Sequence, residues 1–247
     1  MKKKFLTAFI FCFNILLLVY IAESMAGNDQ KLTDYVLKEI ENANKETISI
    51  KANIKIIRSI PLLESEDVSE GSFTYRKPKR FFIKFKPPRN EVNIIDDKHI
   101  WIYHIDQSQV EKYSVNNMGN DSFMNVFFNF GINETADVIK EKFEVRIQED
   151  DANLGSKTQK KKKSKKHKFY RIELNPRPGK SSLENYSKIK IWVQDGKWVP
   201  IVIELDESGG EVLNRIELTK MTINGHISPK DYQFNIPDDV IIIEPLK

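Results

Sequence analysis

Four histidines, one cysteine and a dense run of lysines are the residues whose types could support acid–base, metal, redox or anion chemistry. His99 and His104 are the closest pair, five positions apart. On a strand that continued through both, odd and even positions would point to opposite faces, which makes a poor metal site. His167 falls inside the lysine run, and His226 stands by itself. Cys12 lies in the apolar N-terminal segment, so the chain beyond it offers no disulfide, thiol nucleophile or thiolate ligand. The sequence contains no Gly-x-Ser-x-Gly elbow, no His-Glu-x-x-His and no Gly-rich phosphate loop. Its carboxylates fall mainly on polar strand faces and in loops. These residues do not read as those of an enzyme, and no metal or cofactor is expected.

The lysines dominate the charge balance. The formal net charge is +4, of which residues 1–26 contribute +2 through Lys2, Lys3, Lys4 and Glu23, leaving +2 for the remainder. Residues 157–168 hold eight lysines and no acid, so without them the body carries −6. Basicity confined to one tract on an acidic body argues against nucleic acid spread over a face. Residues 149–168 are expected to form a disordered insertion, because such a composition cannot bury a face. Its bland reading is a solvated hairpin extension. Its functional reading is that Lys160, Lys161, Lys162, Lys163, Lys165 and Lys166 touch anionic lipid or an acidic partner.

Residues 1–26 read as a signal peptide: a basic start, an apolar run from Phe5 to Ala22, and a small-x-small triplet, Ser24-Met25-Ala26. Export to the periplasm follows, with a mature chain from Gly27. Cys12 sits within the apolar run without a lipobox, so it is no acylation site. An uncleaved anchor is the alternative.

The elements that would carry any site are mostly strands. A first helix, capped by Asn28 or Asp29, has Leu32, Tyr35, Val36 and Ile40 on one stripe. Ile48, Ile50, Ala52, Ile54 and Ile56 then alternate as a half-buried strand. Pro61 to Glu70 reads as an acidic loop. Strands follow at short spacing to Tyr113, interrupted by a Phe-rich helical patch over 122–130 and a weaker helical turn from Asn133. Alternation resumes at Phe143-Val145-Ile147 and Tyr170-Ile172-Leu174. Ile189 to Leu205 reads as a hairpin about Asp195-Gly196, and Gly209-Gly210 turns into a strand over 212–223. Ten or eleven strands, two or three short helices and no internal repeat make residues 27–247 one domain.

The apolar side chains point one way. Phe73 and Tyr75, then Phe81, Ile83 and Phe85, share a face by strand parity, with Ile94 and Trp101 expected beside them. Phe123, Met124, Phe127 and Phe128 fall together on the Phe-rich helix. Any antiparallel sheet packs its apolar face on something. A single curved sheet with only short helices over it would instead leave a cavity.

Gly71-x-Phe73-x-Tyr75-Arg76-Lys77-Pro78-x-x-Phe81, followed by Asp96-x-Lys98-x-Ile100-Trp101-x-Tyr103, resembles the LolA family of periplasmic lipoprotein carriers. Asn120 to Met124 looks like the family's lid-helix segment. Tyr232-Gln-Phe-Asn-Ile-Pro-Asp-Asp-Val240 is similar to its C-terminal signature. The resemblance implies an unclosed antiparallel β-barrel under a helical lid, with acyl chains held in the cavity between them. It implies acylated lipoproteins as cargo, an ATP-driven inner-membrane transporter as loading partner, an outer-membrane acceptor, and a monomer. Family members commonly carry arginine immediately before the motif's proline, where it latches the lid; here that residue is Lys77, with Arg76 beside it. A carrier or sensor of another lipid, phospholipid or glycolipid, is the alternative function.

Overall fold

The computed structural model describes residues 29–78, 80–115, 126, 134–150, 168–232, 237 and 239–244 of the 247-residue chain. Among them the dominant element is one sheet of twelve strands. Helix α1 covers residues 29–46 and leads into β1 (Ser49–Ile60). The meander continues through β2 (Ser65–Arg76), β3 (Arg80–Phe85), β4 (Glu91–Ile95), β5 (His99–His104) and β6 (Gln109–Ser114). Helix α2 (Ala136–Lys142) then opens a second meander. It comprises β7 (Phe143–Asp150), β8 (Phe169–Pro176), β9 (Tyr186–Gln194), β10 (Pro200–Glu207) and β11 (Leu213–Ile223). A short β12 (Ile241–Ile243) returns to pair parallel with β6. The order β12-β6-β5-β4-β3-β2-β1-β11-β10-β9-β8-β7 does not close, since β7 and β12 lie at opposite edges. The fold is mainly β, as the sequence pattern predicts, and forms an unclosed barrel with helices against one face, as the family resemblance implies.

Two elements differ from the sequence reading. Ser65 to Glu70 is the first half of a long strand, not a loop; a three-residue turn at Pro61–Leu63 folds it back on Ile60 to Lys55. Nearly every side chain there is solvent-exposed, so no alternation of polarity marks the strand. Only the backbone ladder to β1 defines it. The strand count is twelve, rather than ten or eleven, because the last short strand attaches in parallel to an edge.

Gly71 shows why the motif opens on glycine. It sits mid-strand in β2 between Ile54 and Phe85. A Cβ there would stand 2.2 Å from the backbone oxygen of Lys84, closer than any side chain tolerates. The glycine lets the β3 backbone approach this closely.

The main core lies on the inner face. It joins Ile50, Ala52 and Ile54 of β1 to Phe73, Tyr75, Phe81, Ile83 and Phe85, and runs on through Ile172, Leu174, Ile189, Ile191 and Ile203 in the second meander. Helix α1 contributes Val36, Leu37 and Ile40. Thr33, Asn44 and Thr47 extend that buried stripe at both ends. Tyr35, expected on it, is half-exposed and instead meets Trp198 edge-on, centroids 5.8 Å apart. Asp29 is already helical, and Asn28 lies outside the described residues.

Candidate functional site

The inner face of β2 and β3 is an aromatic floor. Phe73 and Tyr75 are fully buried, and Phe81, Ile83 and Phe85 nearly so. The Phe81 ring touches both neighbours, with centroids 5.9 Å from Phe73 and 4.8 Å from Tyr75. Burial pushes the Tyr75 hydroxyl's pKa up to about 12; the hydroxyl donates to the Pro78 carbonyl at 3.4 Å. Val36, Leu37 and Ile40 of helix α1 are buried in the same apolar cluster as this floor. Val126, completely buried, joins them.

Ile94 and Trp101 do not belong to this floor. Register pairs Phe81 with Ile95 and Ile95 with Ile100, so Ile95 continues the inner face. Ile94 pairs with Phe82 and Trp101, and these point outward. On the outer face they meet Val92, Tyr103 and Val110, under Tyr232 and Val240 of the C-terminal segment. Trp101 donates its indole N–H to Asp96 at 3.2 Å and lies under the Lys112 Nζ, 5.2 Å from the ring centroid. The sequence Ile94-Ile95 offers an apolar residue to each face, so parity across the preceding turn could not be read from it.

Lys77 sits one residue past β2, exposed, and its side chain reaches back to α1. Its Nζ donates to the backbone carbonyls of Asn44 at 3.2 Å and Lys45 at 3.0 Å, in the helix's last turn. These are carbonyls that helix geometry leaves without an intrahelical partner, at the negative end of the dipole. Its backbone N–H also donates to the Ile48 carbonyl at 2.8 Å. Arg76 faces the other way, donating to the Tyr232 hydroxyl at 2.8 Å and stacking over that ring. The two adjacent cations thus hold different elements, α1 inside and the C-terminal segment outside.

Polar ties join the two helices. Asp34 of α1 accepts from the Lys140 side chain of α2. The resulting hydrogen bond, opposed in part by burial, holds its pKa below the ordinary carboxylate value. Glu41 accepts from Lys45 at 2.6 Å and from the Ala136 N–H at 3.4 Å. These bonds, Lys45's first, bring its pKa down to about 2.

Phe123, Met124, Phe127 and Phe128, expected on a lid helix, lie outside the described residues. So do Lys160, Lys161, Lys162, Lys163, Lys165 and Lys166. Of the residues expected in the insertion, Glu149 and Asp150 are in β7, and Lys168 pairs with Glu149 at 2.8 Å. Asp150 and Lys168 lie at the sheet end that also holds Lys77 and the α1 C-terminus, as the register from Phe169 across to Arg76 shows.

A family model described as that of an uncharacterized protein matches residues 80–236. Over 235 residues, covering 94% of this chain and 98% of the relative, the sequence is 24% identical to the outer-membrane lipoprotein carrier protein of Legionella pneumophila (strain Lens).

The chain belongs to the LolA-like superfamily.

Among solved structures, an uncharacterized conserved protein from Thermus thermophilus has the same fold at TM-score 0.51 and 11% identity, covering 84% of this chain and 98% of that one. A LolA superfamily protein from Nitrosomonas europaea is matched at TM-score 0.38 and 12% identity, over 82% and 97% of the respective chains. In this LolA-like protein no helix among the described residues is long and apolar enough to cross a membrane. None of their His, Cys, Asp or Glu side chains forms a group of three that could hold a metal.

Proposed function

We propose that this protein carries the acyl chains of lipoproteins through the periplasm, after removal of residues 1–26. The observation that supports it is the arrangement of α1. An amphipathic helix shares its buried cluster with the aromatic floor of Phe73, Tyr75, Phe81, Ile83 and Phe85, and the Lys77 Nζ holds its last turn. A helix held to its neighbours by side-chain contacts can lift while the sheet stays intact.

Transferring an acyl chain from water releases about 0.8 kcal/mol per CH₂, or roughly 10 kcal/mol for one sixteen-carbon chain. A permanently open pocket would bind too tightly to let go. A floor already filled by Val36, Leu37 and Ile40 lowers the net affinity, because cargo must displace them. Phe123, Met124, Phe127 and Phe128 would add to the displaced set. Lys77 acts as the latch on the closed, empty form. Loading is driven by an ATP-dependent inner-membrane transporter, and delivery ends at an outer-membrane acceptor. The lysine tract rooted at the same end meets anionic lipid or an acidic partner during either transfer.

The test is native purification from the periplasm with mass spectrometry of what accompanies the protein. Acylated lipoproteins are the expected cargo. Phospholipid or glycolipid in stoichiometric amount would redirect the assignment to another lipid, and a chain free of any lipid under loading conditions would overturn it.

A further inference from the structure

The buried stripe of α1 does not stay apolar. It runs Thr33, Val36, Leu37, Ile40 and then Asn44, at the spacing that keeps all on the sheet-facing side. Asn44 is 5% exposed. Its carboxamide nitrogen and oxygen are both buried, and neither has a hydrogen-bond partner among the described residues. Leaving a buried amide unmade at both ends is costly, and native structures rarely carry it without a reason. The neighbouring Thr47 has settled its own hydroxyl on the Ala43 carbonyl at 2.7 Å, so polarity at this helix end is ordinarily satisfied locally. The Asn44 backbone carbonyl is one of the two that Lys77 holds, which places the unpaired amide directly beside the latch. Tyr75, two residues before Lys77, carries its weakly bonded hydroxyl to the same sheet end.

We infer that Asn44 reads the polar linkage of the cargo, and that the linkage it fits is a secondary amide. This rests on the carrier reading above and names the chemistry its cargo would present. A carboxamide offers two donors on nitrogen and an acceptor on oxygen. A secondary amide, as in an N-acylated or peptide-linked chain, returns one acceptor and one donor and can satisfy both buried atoms together. An ester returns acceptors only, and leaves the Asn44 oxygen unpaired. A site built to hydrogen-bond a group discriminates against an analogue that lacks it, because the unpaired partner stays buried. Polar contact at this point would compete with the closed arrangement of the α1 end, where Lys77 is engaged, so recognition and unlatching would share one helix turn.

The experiment uses the full mature chain and two probes that differ by one atom group, N-ethyl hexadecanamide and ethyl hexadecanoate. Each displaces a fluorescent fatty acid below its aggregation limit. The parent is expected to prefer the amide by about tenfold, the scale of one or two buried hydrogen bonds. Asn44→Leu should bind both probes alike and melt no lower than the parent, since it removes an unpaired polar group. Should that variant fail to fold, Asn44→Ala carries the same comparison. Equal affinity of the parent for both probes would overturn the inference while leaving a carrier in place, as would an amide preference that survives the substitution. A parent that binds neither probe would overturn the carrier reading itself.

Discussion

Replacing Lys77 by leucine removes two charge-assisted hydrogen bonds to the Asn44 and Lys45 carbonyls and leaves the strand pairing of β2 untouched. In a buried setting each such bond would contribute about 1.5 kcal/mol or more. Lys77 is exposed, and water takes over part of the role, so about 1 kcal/mol for the pair is the defensible figure. The lost cation at the helix C-terminus adds about 0.5 kcal/mol. A total near 1.5 kcal/mol corresponds to about a tenfold shift toward a lifted α1. Amide hydrogen exchange reads this directly: protection of residues 36–44 should fall about tenfold, while Ile172 and Ile191 in the second meander keep theirs. Lys77→Arg should exchange like the parent, since a guanidinium also donates to carbonyls. In a transfer assay, Lys77→Leu should accept lipoprotein and fail to release it to the outer membrane. Unchanged protection over 36–44, or an equal loss throughout the sheet, would refute the latch.

Other outcomes follow from single contacts. Gly71→Ala drives a Cβ into the Lys84 carbonyl oxygen, and should lower stability by about 3 kcal/mol in urea unfolding; a change under about 1 kcal/mol would mean that β3 shifts freely. Phe81→Glu buries an unpaired carboxylate in the aromatic floor; acyl-probe binding should fall sharply while circular dichroism keeps its β signature, and parental binding by a folded variant would move the cargo elsewhere. Glu41 has its pKa lowered from 4.5 to about 2, so its tie between α1 and α2 is present above about pH 4.5 and is lost as pH falls toward 2. Exchange in α1 should therefore accelerate over that interval, and Glu41→Gln should flatten the response; an identical acid profile in the variant would assign it to other carboxylates.

Much of the floor was legible because alternation has a period of two and β2 and β3 each bury one face. Phe73, Tyr75, Phe81, Ile83 and Phe85 stand where parity puts them. The hairpin at Asp195-Gly196 and the turn at Gly209-Gly210 were legible too, since Gly196, Gly209 and Gly210 take positive φ angles. Ile94 and Trp101 were not, because both faces of β4 and β5 are covered and polarity stops reporting direction. Leu37 escaped for a related reason: the helical stripe is wider than Leu32, Tyr35, Val36 and Ile40. Asn44 could not be found by any search for apolar periodicity, being the polar member of an apolar row. The resemblance implies that Lys77 latches a lid, and the helix whose carbonyls it holds is α1.

The sheet is two meanders sewn along one line. Strands β1 to β6 follow one another as neighbours, as do β7 to β11, and only β1 against β11 joins the halves. Asn224, in a left-handed turn after β11, fastens that line at the α1 end. It accepts from the backbone N–H groups of Ile48 and Ser49 and donates to the Glu46 carbonyl, the first of these contacts spanning 176 positions of sequence. A chain threaded through a membrane from its N-terminus could build the first meander early. It could not complete the seam until residue 224 had emerged, and β12 would dock on β6 later still. The unfinished half-sheet would meanwhile present β1 as a long open edge. On the proposed carrier role, a protein that shelters other chains' greasy segments would itself need sheltering during its own synthesis, and the step that ends that dependence is the zipping of β11 onto β1.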